Sequence, residues 1–179
     1  MKKIFYSLFI LFFSSPLWAA HIIGGELTYK CLGSGSYQFT LKLYRDCNGG
    51  GANFDGAPNS PFPATVSIFK GSNSLPLSTA NLSNPIIAGI PIAESNPCII
   101  PPSGICVQSG VYIWTENLPT INESYTISYQ RCCRNNTISN LEAPGDVGAT
   151  YTIELSPKAQ DLCNSSPVFE NLPPIVICS

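Results

Sequence analysis

The chain has 179 residues, of which 44% are hydrophobic and only 11% charged, with 16 prolines, 14 glycines and 8 cysteines. So few charges on so apolar a chain exclude a solvated disordered polymer, which needs low hydrophobicity and high net charge. The net charge of −2 falls to −4 without Lys2 and Lys3, as seven basic residues then face eleven acidic ones. A nucleic-acid binder, which must neutralise phosphates, is excluded on that balance.

Lys2 and Lys3, the apolar run from Ile4 to Phe13 and the small pair Ala19 and Ala20 form the three parts of a secretory signal peptide. Residues 1–20 are therefore expected to be a leader, cleaved after Ala19 or Ala20. The apolar stretch is about ten residues, half of the roughly 20 that span a bilayer. No later run reaches that length, so residues 21–179 are expected to form one exported domain without a transmembrane segment.

Glu26 to Cys31 and Tyr37 to Arg45 alternate apolar and polar residues around Gly33-Ser34-Gly35-Ser36, which predicts a β-hairpin. A Gly-, Asn- and Pro-rich loop runs from Asn48 to Pro63, and Ala64 to Lys70 alternates again. Between Leu75 and Pro102 six prolines restrict any strand to a sheet edge. Val111 to Leu118 and Tyr125 to Cys132 read as a second hairpin around Pro119 to Glu123. Leu141 to Gly148 is a turn, Thr150 to Leu155 a strand, and Pro173 to Cys178 a terminal strand within an added segment 164–179. No helical period persists for three turns. The predicted fold is all-β, an immunoglobulin-like antiparallel sandwich, with a jelly roll as the alternative.

The cysteines at 31, 47, 98, 106, 132, 133, 163 and 178 all lie beyond the leader and show no Cys-x-x-Cys pair. In an exported chain they read as disulfides rather than metal thiolates. Eight cysteines allow 105 connectivities. Adjacent Cys132 and Cys133 point to opposite faces of a strand and so serve different partners. Cys98 and Cys106 bracket a short, turn-prone loop and are the best single pair, while Cys47 follows a strand that could place it against Cys132 or Cys133.

Chemistry-bearing residues are few. His21-Ile-Ile-Gly-Gly25 looks like the activating terminus of trypsin-like proteases, but His21 is the only histidine and no Gly-Asp-Ser-Gly-Gly is present. A terminal copper site fails for want of a second imidazole. Glu116, Glu123, Glu142, Asp146 and Glu154 could supply paired carboxylates, yet their spacing selects no pair. Asp46, Asn48, Asn53 and Asp55 gather the hard oxygens that calcium takes, though Asn, Asp and Gly are also ordinary turn residues. No other cofactor is indicated. Tyr112 and Trp114 share one face of a strand and are the candidates for stacking on a sugar. Arg131 and Arg134 are expected to tie their loop to Glu142 or Asp146.

His21-Ile-Ile-Gly-Gly-Glu-Leu-Thr-Tyr29, Leu43-Tyr-Arg-Asp-Cys47, Ser128-Tyr-Gln-Arg-Cys-Cys-Arg-Asn-Asn136, Cys163-Asn-Ser-Ser-Pro-Val-Phe169 and Pro173-Pro-Ile-Val-Ile-Cys178 together resemble the N-terminal module of large secreted surface proteins of gliding Bacteroidota. In that family cadherin-like or PKD-like repeats and a type IX secretion sorting domain follow. The sequence ends at Ser179, so the chain is expected to be a part of such a protein or a short secreted relative. The resemblance implies a role in gliding motility and adhesion and brings no catalytic residues with it. The expected function is thus a non-enzymatic cell-surface structural or adhesion module, with an extracellular protein or glycan as partner and a carbohydrate-binding module as the alternative.

Overall fold

The computed structural model describes residues 22–48, 53–91, 105–132, 134 and 138–169. Eight strands are β1 (Ile22–Gly33), β2 (Ser36–Asp46), β3 (Ala64–Lys70), β4 (Ser78–Leu82), β5 (Ile86–Gly89), β6 (Val107–Asn117), β7 (Tyr125–Arg131) and β8 (Ala149–Leu155). A 3-10 turn at Pro144–Asp146 precedes β8, and a short helix, α1 (Pro157–Asp161), follows it.

Alternation decides which residues face inward. Along β2, Tyr37, Phe39, Leu41 and Leu43 are buried, while the residues between them are partly exposed. Val66 and Ile68 on β3 and Tyr125, Ile127 and Tyr129 on β7 do the same from the facing sheet, and these rows form one core with Leu27, Tyr29 and Leu155. The β1–β2 turn needs positive φ at both central residues, and Ser34 (51°) and Gly35 (75°) supply it, so the two-residue loop matches the twist of the strands it joins.

The two antiparallel sheets have the orders β1-β2-β6-β5 and β4-β3-β7-β8. Lettered A, B, C, C′, D, E, F and G in chain order, they become A-B-E-D and C′-C-F-G, the immunoglobulin-like arrangement rather than the jelly roll. Tyr125, at the start of the seventh strand, donates its hydroxyl to the Pro119 carbonyl at 2.9 Å. That is the tyrosine corner of such sandwiches. The two strands delimited by Pro76, Pro85 and Pro91, β4 and β5, are edges, as their missing amide hydrogens require.

Two expectations are corrected. The supposed second hairpin does not exist: β6 lies in one sheet and β7 in the other. Its connection crosses the sandwich because Leu118 is buried, its amide donating to the Gly35 carbonyl at 2.8 Å, and Tyr125 then anchors the chain on the far side. The disulfide expected between Cys98 and Cys106 is instead Cys47–Cys106, which also removes the suggested link from Cys47 to Cys132 or Cys133. The register explains the choice. Asp46 pairs with Val107 across β2 and β6, so Cys47 and Cys106 are the next opposed residues, and the Cys47 amide donates to the Cys106 carbonyl at 2.9 Å.

A second disulfide joins Cys31 at the end of β1 to Cys163 beyond α1, 132 positions further along the chain. Cys132 is disulfide-bonded as well. Cys98, Cys133, Cys178, the leader and the expected terminal strand at Pro173–Cys178 lie outside the described residues. Among the described residues no helix is long and apolar enough to cross a membrane.

The short helix was not expected from periodicity. Ser156 caps it, accepting from the Ala159 amide at 3.3 Å, and Pro157 occupies its first turn. Its Gln160 is buried and fully employed. The side chain donates to the carbonyls of Glu123 (2.9 Å) and Leu155 (3.1 Å) and accepts from the Ile121 amide (2.9 Å), joining α1 to the crossing between the sheets.

Candidate functional site

The densest polar constellation lies where the loop after β2 folds back over one end of the sandwich. Phe54 is fully buried there, and only glycine fits beneath it: a Cβ on Gly110 would stand 2.9 Å from the Phe54 ring. The Arg45 guanidinium covers that ring at 5.2 Å from its centroid, and its Nε and Nη2 donate to Gln108 Oε1 at 2.9 and 2.7 Å. Burial, with Arg131 nearby, lowers the pKa of Arg45.

Asp55, next in the loop, reaches both sheets. Its backbone carbonyl accepts the Tyr112 hydroxyl from β6 at 2.6 Å. Its carboxylate accepts the Tyr129 hydroxyl from β7 at 2.6 Å and pairs with Arg131 Nη1 at 3.1 Å, while Arg131 Nη2 donates to the Asn53 carbonyl at 2.8 Å. The Arg131 side chain is only 9% exposed, so this is a nearly buried ion pair in a hydrogen-bonded setting. Burial raises the pKa of both Tyr112 and Tyr129, and the Asp55 carboxylate raises it further by opposing a second negative charge.

Of the calcium candidates, Asp55 is held by Arg131 and Tyr129, Asn53 Oδ1 accepts from the Phe54 amide at 3.0 Å, and Asp46 Oδ1 accepts from the Asn48 amide at 2.9 Å. Among the described residues no three His, Cys, Asp or Glu side chains gather as a metal site. Arg131 joins Asp55 rather than Glu142 or Asp146, and Arg134 Nε donates to the Gly148 carbonyl at 3.0 Å. Both arginines tie loops, with other partners than the sequence suggested.

The sugar-stacking pair is also corrected. Tyr112 and Trp114 do share a face, but it is the inner one, since they oppose the buried Leu41 and Phe39 across β2. Tyr112 is 3% exposed, and Trp114 stacks on Phe39 at 5.3 Å and packs against the core with its Nε1 buried and unpaired. Tyr112 is closed to a ligand, and half-buried Trp114 has one ring face taken by Phe39. The carboxylates remain apart in their roles: Glu123 pairs with Lys70 at 3.2 Å, Glu154 accepts the Ser124 hydroxyl, and Glu142 and Asp146 are exposed around the 3-10 turn.

What the molecule does present is hydroxyl. Thr79, Ser67, Ser128 and Thr152 are aligned by register in one row across β4, β3, β7 and β8, on the outer face of their sheet. Neighbouring strands lie about 4.8 Å apart, so the row is a closely spaced, uncharged array. Thr126 and Thr150 extend it along β7 and β8. In the sequence each of these residues is an ordinary outward strand position; the row exists only once three registers are known.

Comparison of the chain with family models, curated proteins and solved structures finds no match.

Proposed function

We propose that the chain is a non-enzymatic, exported structural or adhesion module that works at a cell surface and contacts an extracellular protein or glycan. The observation that carries this reading is the covalent closure of an immunoglobulin-like sandwich by Cys31–Cys163 and Cys47–Cys106, a form of stabilisation suited to an oxidising compartment. The main polar constellation supports it, because Asp55, Arg131, Tyr112 and Tyr129 are engaged with one another in holding the two sheets. The leader-like residues 1–20 and the resemblance to gliding-associated surface modules point the same way.

Surface labelling tests the reading. Antibody to residues 22–169 should stain intact source cells, and beads coated with the oxidised domain should adhere to those cells or their substratum. Recovery of the protein solely from the cytosol, with reduced cysteines, would contradict it. The carbohydrate-binding alternative is weakened, since Tyr112 is buried and half-buried Trp114 stacks on Phe39.

A further inference from the structure

The chain beyond α1 does not leave the domain freely. It turns back along the outer edge of β1: the Ser166 amide donates to the Tyr29 carbonyl at 2.9 Å, the Tyr29 amide donates to Ser166 Oγ at 2.9 Å, and the Cys31 amide donates to Ser165 Oγ at 3.1 Å. Residue numbers rise along this tail as they fall along β1, so the two segments run antiparallel and both lead toward the Ile22 end. Cys31–Cys163 sits at the opposite end of that seam.

This geometry determines how tension is carried. Pulling apart two antiparallel segments from the same end peels their hydrogen bonds one at a time, the weakest way to load them. Here the peeling runs directly into a covalent bond. Nearly all of the sandwich, from the second half of the first hairpin through α1, lies inside the loop that this bond closes.

We infer that Cys31–Cys163 is a force bypass: tension applied to the two ends of the domain can strip the tail and β1 as far as Cys31, and then passes through the disulfide, so that the enclosed chain from β2 to α1 is not extended. The bypass holds for any exported form in which the bond is made, whether or not the adhesion reading is correct.

Single-molecule stretching of the oxidised mature chain tests it, with handles attached at Ile23 and Val168, which are 48% and 71% exposed and lie just outside the closed loop. The bypass predicts a total contour-length gain of about 45 Å, the reach of the residues from 23 to 31 and from 163 to 168 at roughly 3.5 Å each. In the Cys31→Ser, Cys163→Ser variant a new unfolding step on the order of 100 to 250 Å is expected, since Cys47–Cys106 and the disulfide of Cys132 still close their own parts of the chain. Should that variant fail to fold, adding a reductant to a tethered wild-type molecule must produce a sudden extension of at least the same order. A step of about 100 Å or more in the oxidised wild type would overturn the inference, as would reduction that leaves the length unchanged. Loss of cell adhesion by a molecule that keeps the short extension would count against the proposed function alone.

Discussion

The Tyr129 hydroxyl donates to the Asp55 carboxylate at 2.6 Å, so a residue of β7 and a residue of the loop after β2 hold the end of the sandwich together. The acceptor is charged and mostly sheltered, and a hydrogen bond to a charged group is worth about 1.5 to 3 kcal/mol. Tyr129→Phe should lower unfolding stability by that amount in denaturant titration, with the strand content unchanged. A variant as stable as the wild type would show that Arg131 alone positions Asp55.

Alkaline pH should dissolve the same tie. Both Tyr112 and Tyr129 are raised in the folded state above the ordinary tyrosine value of 10.0, so folding favours their protonated forms. The stability this contributes is fully present below pH 10 and is lost as pH rises above it toward the folded-state values. Tyrosinate absorbance should therefore show a set of phenols that ionise only together with the loss of near-ultraviolet circular dichroism. Smooth ionisation of all tyrosines in the folded protein would contradict the burial of these two.

Gly110 and Gly89 give a matched pair of substitutions. Gly110→Ala drives a methyl group into the Phe54 ring, an overpacking that costs about 1 to 3 kcal/mol, whereas Gly89→Ala on the exposed edge strand meets nothing within 4 Å. Thermal melts of the two variants should differ clearly, with Gly110→Ala the less stable.

Trp114→Ala distinguishes a core residue from a ligand platform. Removing an indole that stacks on Phe39 should destabilise the fold by about 3 kcal/mol. A variant of unchanged stability that lost glycan binding would restore the sugar-stacking role.

Much of this fold was legible because local pattern controls local structure. Phe39, Leu41 and Leu43 mark the inner face of β2, Gly33 to Ser36 mark its hairpin, and the prolines at 76, 85 and 91 mark the edges. What was illegible depends on distant registers. Alternation says which face of β6 is apolar but not which strand lies beside it, so Tyr112 and Trp114 could be assigned a shared face without knowing that it is the inner one. The same ignorance of the β2–β6 register hid Cys47–Cys106, and a proline-rich loop made Cys98 look like the nearer partner. Asp55 and Arg131 are 76 positions apart and meet only when the loop folds over the sandwich end. The helix was different: Ser156-Pro157 is a capping pair, but a helix of five residues is too short to show a helical period.

The most direct test of the covalently closed sandwich is a non-reducing peptide map of the protein recovered from its native compartment. The account predicts peptides linking Cys31 to Cys163 and Cys47 to Cys106, both released by reduction. Free thiols at these four positions, or a peptide linking Cys98 to Cys106, would contradict it.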